Sequence, residues 1–215
     1  MSEKKERKVS RKIVIPGEVL TAERKKLGAN VFLREGKIIS SRLGLLQEAA
    51  DKISVIPLEG KYLPKENDFI VGIITSEKYY GYTVDINSIY ESTIYKRDLQ
   101  KPLKIGTFIS AKVSRVNELH EAELSNVKVL YGGEILKVSP VKIPRIIGKN
   151  NSMINLIRKY TKSFIIVGRN GLIWMNGGNI ALAIEAIRIV ESEAHLTNLT
   201  DRITKFLEKE TKVKK

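Results

Sequence analysis

Ile146-Ile147-Gly148-Lys149-Asn150-Asn151-Ser152-Met153-Ile154 lies inside the stretch whose reading decides the fold, Ile135 to Ile184. That stretch contains Lys137, Lys142, Arg145, Lys149, Arg158, Lys159, Lys162 and Arg169 and no Asp or Glu, a charge of +8 in 50 residues. The ends Met1–Lys12 and Lys205–Lys215 contribute +4 and +3. Because the whole chain is +14, everything else sums to −1. A positive field confined to one segment and the tails is the footprint of a polyanion site.

Element by element, Ile135–Ile143 alternates as a strand, Pro144 opens a short helical turn, and Gly148-Lys149-Asn150-Asn151 breaks the chain. Ser152 suits the N-cap of a helix Met153–Tyr160 whose apolar stripe is Met153, Ile154, Leu156 and Ile157. Ser163–Val167 and Leu172–Met175 read as strands joined by the Asn-Gly-containing turn Gly168-Arg169-Asn170-Gly171. Asn179 caps a long helix in which Ile180, Ala183, Ile184, Ile187, Val190 and Ala194 share a face. The order strand, helix, helix, strand, strand, helix, with a basic Gly-containing break between the first two helices, resembles a KH domain of the eukaryotic topology. In that family the loop is Gly-x-x-Gly and admits the backbone of single-stranded nucleic acid to the start of the second helix. Here Asn151 stands where the second glycine belongs. Asn tolerates a left-handed backbone, so the turn survives, but its side chain crowds the phosphate path. Two readings stay open: an RNA-binding loop, or a KH fold kept for packing and protein contacts.

Upstream, the 215 residues are 42% hydrophobic and 29% charged, enough apolar material for real cores. Zero cysteines exclude disulfides, thiol catalysis and cysteine zinc ribbons. No apolar run reaches membrane-spanning length and Met1–Lys12 is charged, so a cytoplasmic protein is the default expectation. Ile13–Ile15, the hairpin Val31–Leu33 with Lys37–Ser40, and Lys52–Leu58 imply a small β domain over residues 13–61 whose core is meagre. Five further strands, Phe69–Thr75, Gly81–Asn87, Ile89–Tyr95, Phe108–Val116 and Glu123–Tyr131, fit an OB-type barrel over residues 62–134. The fold class expected is α+β and multidomain: a basic tail 1–12, a β domain 13–61, a barrel 62–134, a KH domain 135–204 and a basic tail 205–215.

Asp68–Ile74, Gly81–Ile86 and Gly106–Val113 look like an S1-type OB domain, a family in which exposed aromatics stack unpaired bases beside basic groups. Tyr79, Tyr80, Tyr82, Tyr90 and Tyr95 are the candidate rings, with Lys96, Arg97, Lys112 and Arg115 for phosphate. Alternation alone leaves open whether Tyr82 or Thr83 points outward. Ile15-Pro16-Gly17-Glu18 in a β segment, then the barrel, then the string Val138–Lys149, Ser152-Met153-Ile154 and the turn Gly168–Trp174 together resemble the S1/KH-type RNA-binding cap subunit of the archaeal exosome. The resemblance implies a non-catalytic role: three copies, alone or with other cap subunits, sit on a ring of RNase-PH-like subunits and thread RNA 3′ ends inward. It implies docking by the N-terminal β domain, and RNA contacts at Arg145, Gly148, Lys149, Asn150, Asn151 and Arg169 together with Tyr80, Tyr82, Lys96, Arg97, Lys112 and Arg115.

No cofactor, metal or catalytic residue is expected. His120 and His195 are far apart in sequence, Glu118, Glu121 and Glu123 read as a solvated edge, and the glycines lack P-loop or dinucleotide spacing. The competing functions are a free-standing RNA binder of translation or ribosome assembly and a metal-dependent nuclease.

Overall fold

Hydrophobic alternation and two left-handed turn residues explain the first unit. A computed structural model describes residues 12–58, 60–99, 101–194 and 198–213, so the expected tail Met1–Lys12, apart from Lys12, and His195 lie outside the described residues. The chain divides into two compact units, Met1–Gly60 and Lys61–Lys215. In the first, β1 (Ile13–Val14), β2 (Val19–Thr21), β3 (Lys26–Leu27), β4 (Val31–Arg34), β5 (Lys37–Ser40), β6 (Gly44–Glu48) and β7 (Lys52–Pro57) form two sheets, ordered β1-β6-β7-β3 and β2-β5-β4. The β4–β5 hairpin pairs Arg34 with Lys37 across Glu35-Gly36, both at positive φ (52° and 75°), as a tight two-residue turn requires. Its core is Val14, Ile38, Leu46, Ile53 and Val55, while Ile13, Ile15, Leu27 and Leu33 remain exposed.

The second unit opens with a closed five-stranded barrel, order β10-β12-β11-β8-β9, from β8 (Phe69–Lys78), β9 (Gly81–Asp85), β10 (Ser92–Tyr95), β11 (Phe108–Val116) and β12 (Ala122–Leu130). Ile70, Ile74, Tyr82, Val84, Ile94, Ile109, Val113 and Leu124 fill it.

A three-stranded antiparallel sheet follows, order β13-β15-β14, from β13 (Glu134–Lys137), β14 (Phe164–Val167) and β15 (Leu172–Asn176). Against it pack α1 (Ile143–Ile147), α2 (Ser152–Thr161), α3 (Ile180–Ser192) and α4 (Leu199–Val213) around Ile146, Ile157, Ile165, Ile187 and Ile203. The expected strand Ile135–Ile143 stops at Lys137 because Pro140, which lacks an N–H, starts a 3-10 turn. Asn179 caps α3 as its sequence suggests, its Oδ1 accepting the Leu182 N–H at 3.1 Å. The terminal segment 205–215 is not a solvated tail where it is described. Leu199, Ile203 and Leu207 recur at helical spacing and are buried, which carries α4 on to Val213.

The expected boundary between residues 134 and 135 is not a seam. The turn between β14 and β15 inserts Asn170 into the barrel with 0% exposure. Its Oδ1 accepts the Val71 N–H at 3.3 Å, and its Nδ2 donates to the Val71 and Ile86 carbonyls at 2.6 and 2.8 Å. The Asn170 carbonyl accepts from Asn87 Nδ2 at 2.9 Å, and the Arg169 N–H donates to the Phe69 carbonyl at 2.8 Å. A side-chain amide thus stands in for a strand peptide beside β8. Apolar packing of Val71 and Leu130 against Trp174 seals the junction, and Trp174 Nε1 donates to the Gly132 carbonyl at 2.8 Å. Gly168 has to lack a side chain, since a Cβ would sit 2.2 Å from Asn170 Oδ1.

Candidate nucleic-acid interface

On the barrel, β8 and β9 turn over at Tyr79-Tyr80, with Lys78 opposite Gly81 and Gly81 opposite Tyr95 of β10. A Cβ at Gly81 would meet the Ile94 carbonyl at 2.1 Å, so glycine is what lets β9 and β10 close here. The Tyr80 and Tyr95 rings come together, centroids 6.1 Å apart and tilted 43°, while Tyr79 is 98% and Tyr80 51% exposed. Lys78 Nζ lies 5.9 Å from the Tyr80 centroid and Arg97 Cζ 4.8 Å from that of Tyr95. This is a surface on which bases can stack.

Carboxylates hold the cations around it. Lys78 pairs with Glu91, which also accepts from Thr83 Oγ1 at 3.2 Å. Lys96 pairs with Glu77 at 2.7 Å, and Arg97 Nε lies 3.9 Å from Asp98. The hydrogen bond with Glu91 raises the Lys78 pKa and lowers that of Glu91, and the one with Glu77 raises that of Lys96.

Tyr82 is not part of this surface. Its ring shares the inward period of Val84 and Ile86, is 1% exposed, and its Oη accepts the Leu103 N–H at 3.2 Å. A ring so buried offers no face to a base, and Lys96 beside it borders an open cleft of about 290 Å³. Lys112 and Arg115 stand on β11, which β12 separates from β10, so they lie about 10 Å round the barrel from the strand of Tyr95.

The second basic surface surrounds the break before α2. Gly148 has φ 74°, and Asn150 and Asn151 both take left-handed backbone at φ 51° and 62°. Here asparagine does what the expected turn demands. A Cβ at Gly148 would stand 2.7 Å from the Met153 nitrogen. Asn151, not Ser152, occupies the N-cap of α2, and no side chain caps it. Arg145 and Lys149 are exposed beside the loop. Arg169, placed by the β14–β15 turn, is not among them; its Nε lies 3.7 Å from Asp68 Oδ1 and its backbone holds β8. Among the described residues no His/Asp/Glu group is arranged to hold a metal, and no helix is long and apolar enough to cross a membrane.

Sequence reasoning missed Lys78, Glu91 and Glu77 as neighbours of the tyrosines. The one available signal was that Lys78 immediately precedes the turn dipeptide Tyr79-Tyr80.

Residues 11–59 match the family model for the exosome RNA binding protein RRP4 N-terminal domain. Over 92% of its length the chain is 41% identical to exosome complex component Rrp4 of Pyrococcus furiosus, covering 83% of that protein. The chain belongs to the Rrp4 family of exosome components. Rrp4 of Picrophilus torridus is 39% identical, with 93% of each chain covered. A crystal structure assigned as an exosome complex RNA-binding protein superposes with a TM-score of 0.65 at 32% identity, over 73% of this chain and all of that one. The likeness to the Rrp4 proteins therefore runs through both units, from the β sheets of residues 12–58 to the helices after Gly148.

Proposed function

We propose that this chain is the RNA-binding cap subunit of an archaeal exosome, recruiting RNA 3′ ends and threading them into a ring of RNase-PH-like subunits that performs the catalysis. The observation that supports this best is family likeness over nearly the whole chain, in a molecule with an aromatic platform and an exposed basic loop in one unit. In this reading residues 13–61 dock on the ring and 62–134 are an S1-type OB domain. Residues from 135, now extended through α4, are a KH domain whose sheet order fits the βααββα topology. Ile13, Ile15, Leu27 and Leu33, exposed on a unit with a five-residue core, supply apolar surface for docking. Three cap copies per ring, alone or with other cap subunits, and a cytoplasmic location belong to the same proposal.

The test is recovery of partners. Tagged full-length chain, isolated at moderate salt and treated with ribonuclease, is expected to retain two RNase-PH-like subunits in near-equal amounts. A chain beginning at Lys61 is expected to lose them while keeping its own fold. Ribosomal proteins in their place, or partners retained by the shortened chain, would overturn the assignment.

The loop makes a separate expectation. Lys149→Asp puts a carboxylate where phosphate would approach, and it is expected to weaken single-stranded RNA binding about tenfold, about 1.4 kcal/mol. Lys4→Asp is the comparison, and equal effects in a titration would mean that the loop keeps its fold for packing alone.

A further inference from the structure

The cleft that Lys96 borders is lined by neither Tyr80 nor Tyr95. Its walls are Glu77, Tyr82, Lys96, Leu99, Lys101 and Pro102, around about 290 Å³. Tyr82 lies opposite Glu77 in the β8–β9 ladder and is buried beneath the cleft. Its Oη, accepting the Leu103 N–H at 3.2 Å, ties down the segment that follows the 3-10 turn Lys96–Asp98. Leu99, whose N–H donates to the Lys96 carbonyl at 3.1 Å, and Pro102 supply the apolar wall. The polar groups are few. Glu77 Oε1 holds Lys96 Nζ at 2.7 Å, yet 48% and 43% of the two side chains stay exposed. Lys101 has no ion-pair partner among the described residues.

We infer that this cleft takes a guanine nucleotide, with the Watson–Crick edge of the base on the Glu77–Lys96 pair and the phosphate toward Lys101. Ligand pockets run from about 300 to 1,000 Å³, so a cleft at the lower end admits a single nucleotide and not a folded segment. Two lysines against one glutamate favour an anionic ligand. The carboxylate has about four acceptor directions and the ammonium three donors, so their mutual bond leaves both able to bind more. Guanine presents one acceptor, O6, followed by two donors, N1–H and the 2-amino group. An ammonium beside a two-oxygen carboxylate is the complement of that edge. Hypoxanthine and uracil offer one donor after the acceptor, and adenine and cytosine one amine beside an acceptor. Each of these leaves part of the pair unmatched, which is how a hydrogen-bonding site rejects an analogue. The same edge is present on a free nucleotide and on an unpaired guanine in a strand. In the second case the inference rests on the RNA-binding reading above and deepens it, adding a base preference to a stacking surface that has none.

The experiment titrates intact, isotope-labelled protein with guanosine, inosine, adenosine, cytidine and uridine 5′-monophosphates and follows the amide resonances of Leu99, Lys101 and Leu103. Guanosine monophosphate is expected to bind about tenfold more tightly than adenosine monophosphate, the discrimination of a bidentate pair. Inosine monophosphate, which lacks only the 2-amino group, is expected to fall between them. Glu77→Gln is expected to bring guanosine monophosphate down to the adenosine level and leave adenosine monophosphate unchanged. Lys101→Ala is expected to weaken all five nucleotides by one factor and to leave the unphosphorylated nucleoside guanosine unaffected. Equal binding of the five, or a Glu77→Gln loss shared by adenosine monophosphate, overturns the inference. A second arm compares a uridine-rich single strand carrying one guanine with the same strand carrying inosine, the guanine strand being expected to bind more tightly in the parent and equally in Glu77→Gln. Nucleotide selectivity with no binding of either strand keeps the cleft and overturns the RNA-binding reading; strand binding with no nucleotide selectivity does the reverse.

Discussion

Asn170→Asp is expected to lower the melting temperature on the order of 10 °C and to split unfolding of the second unit into separate barrel and helical transitions. The substitution is nearly isosteric, so geometry is kept and chemistry alone changes. The Asn170 Nδ2 donates to two carbonyls, of Val71 and Ile86, and a carboxylate there turns both bonds into repulsions. Two buried carbonyls losing their donor and one buried charge held by the Val71 N–H alone cost about 3–5 kcal/mol, a large fraction of ordinary domain stability. Burial and the two carbonyls raise the new carboxyl's pKa above its unfolded value. The folded variant therefore binds more protons, and its deficit relative to the parent shrinks as pH falls through that raised pKa. Calorimetry over a pH series reads both the split and the trend. Arg169→Ala at the same turn removes a long ion pair of 3.7 Å from an exposed guanidinium to the largely covered Asp68, and is expected to cost about 1 kcal/mol. Equal melting temperatures for Asn170→Asp and the parent would mean that the junction rests on the Val71, Leu130 and Trp174 packing instead.

Removing residues 205–215 is expected to cost about 2–4 kcal/mol, chiefly through Leu207, which is 0% exposed, and the partly buried Phe206 beside it. The deletion also removes Glu208, whose Oε1 accepts from Tyr160 Oη at 3.0 Å. A lysine-rich solvated tail would leave the urea midpoint unchanged, so the two descriptions of this segment predict plainly different curves. The cores of both β portions are untouched by the deletion, which confines the effect to the helices.

Much of the architecture was legible because its signals are local. Short apolar and alternating runs between turns located all five barrel strands to within a few residues, and Asn179 announced the start of α3 through a hydrogen bond to a residue three positions on. The orientation of β9 was not settled by alternation, which places Tyr82 with Val84 and Ile86 but does not say which face is inward; closure of the barrel on that set buries Tyr82. Hidden features depend on distant partners. Asn170 looks like a residue chosen for a tight turn, and nothing nearby reveals that its amide replaces a strand neighbour about a hundred positions earlier. In α4 the lysines drew attention away from Leu199, Ile203 and Leu207. The platform tyrosines were visible as a dense cluster, but the pairing of Lys78 with Glu91 comes from a strand end meeting a loop. Identity along the chain could not show that the cations nearest the tyrosines are already satisfied.

The Asn170 plug also removes a joint. Two surfaces connected by a pliable tether would sample many separations, and a ligand spanning both would make its second contact at a low effective concentration with an entropic cost of ordering the tether. With the β14–β15 turn seated between Val71 and Ile86, the distance from the tyrosines to the loop at Gly148 is a constant of the molecule. In the proposed RNA-binding reading the pair works as a caliper, set during folding rather than on each encounter with a strand.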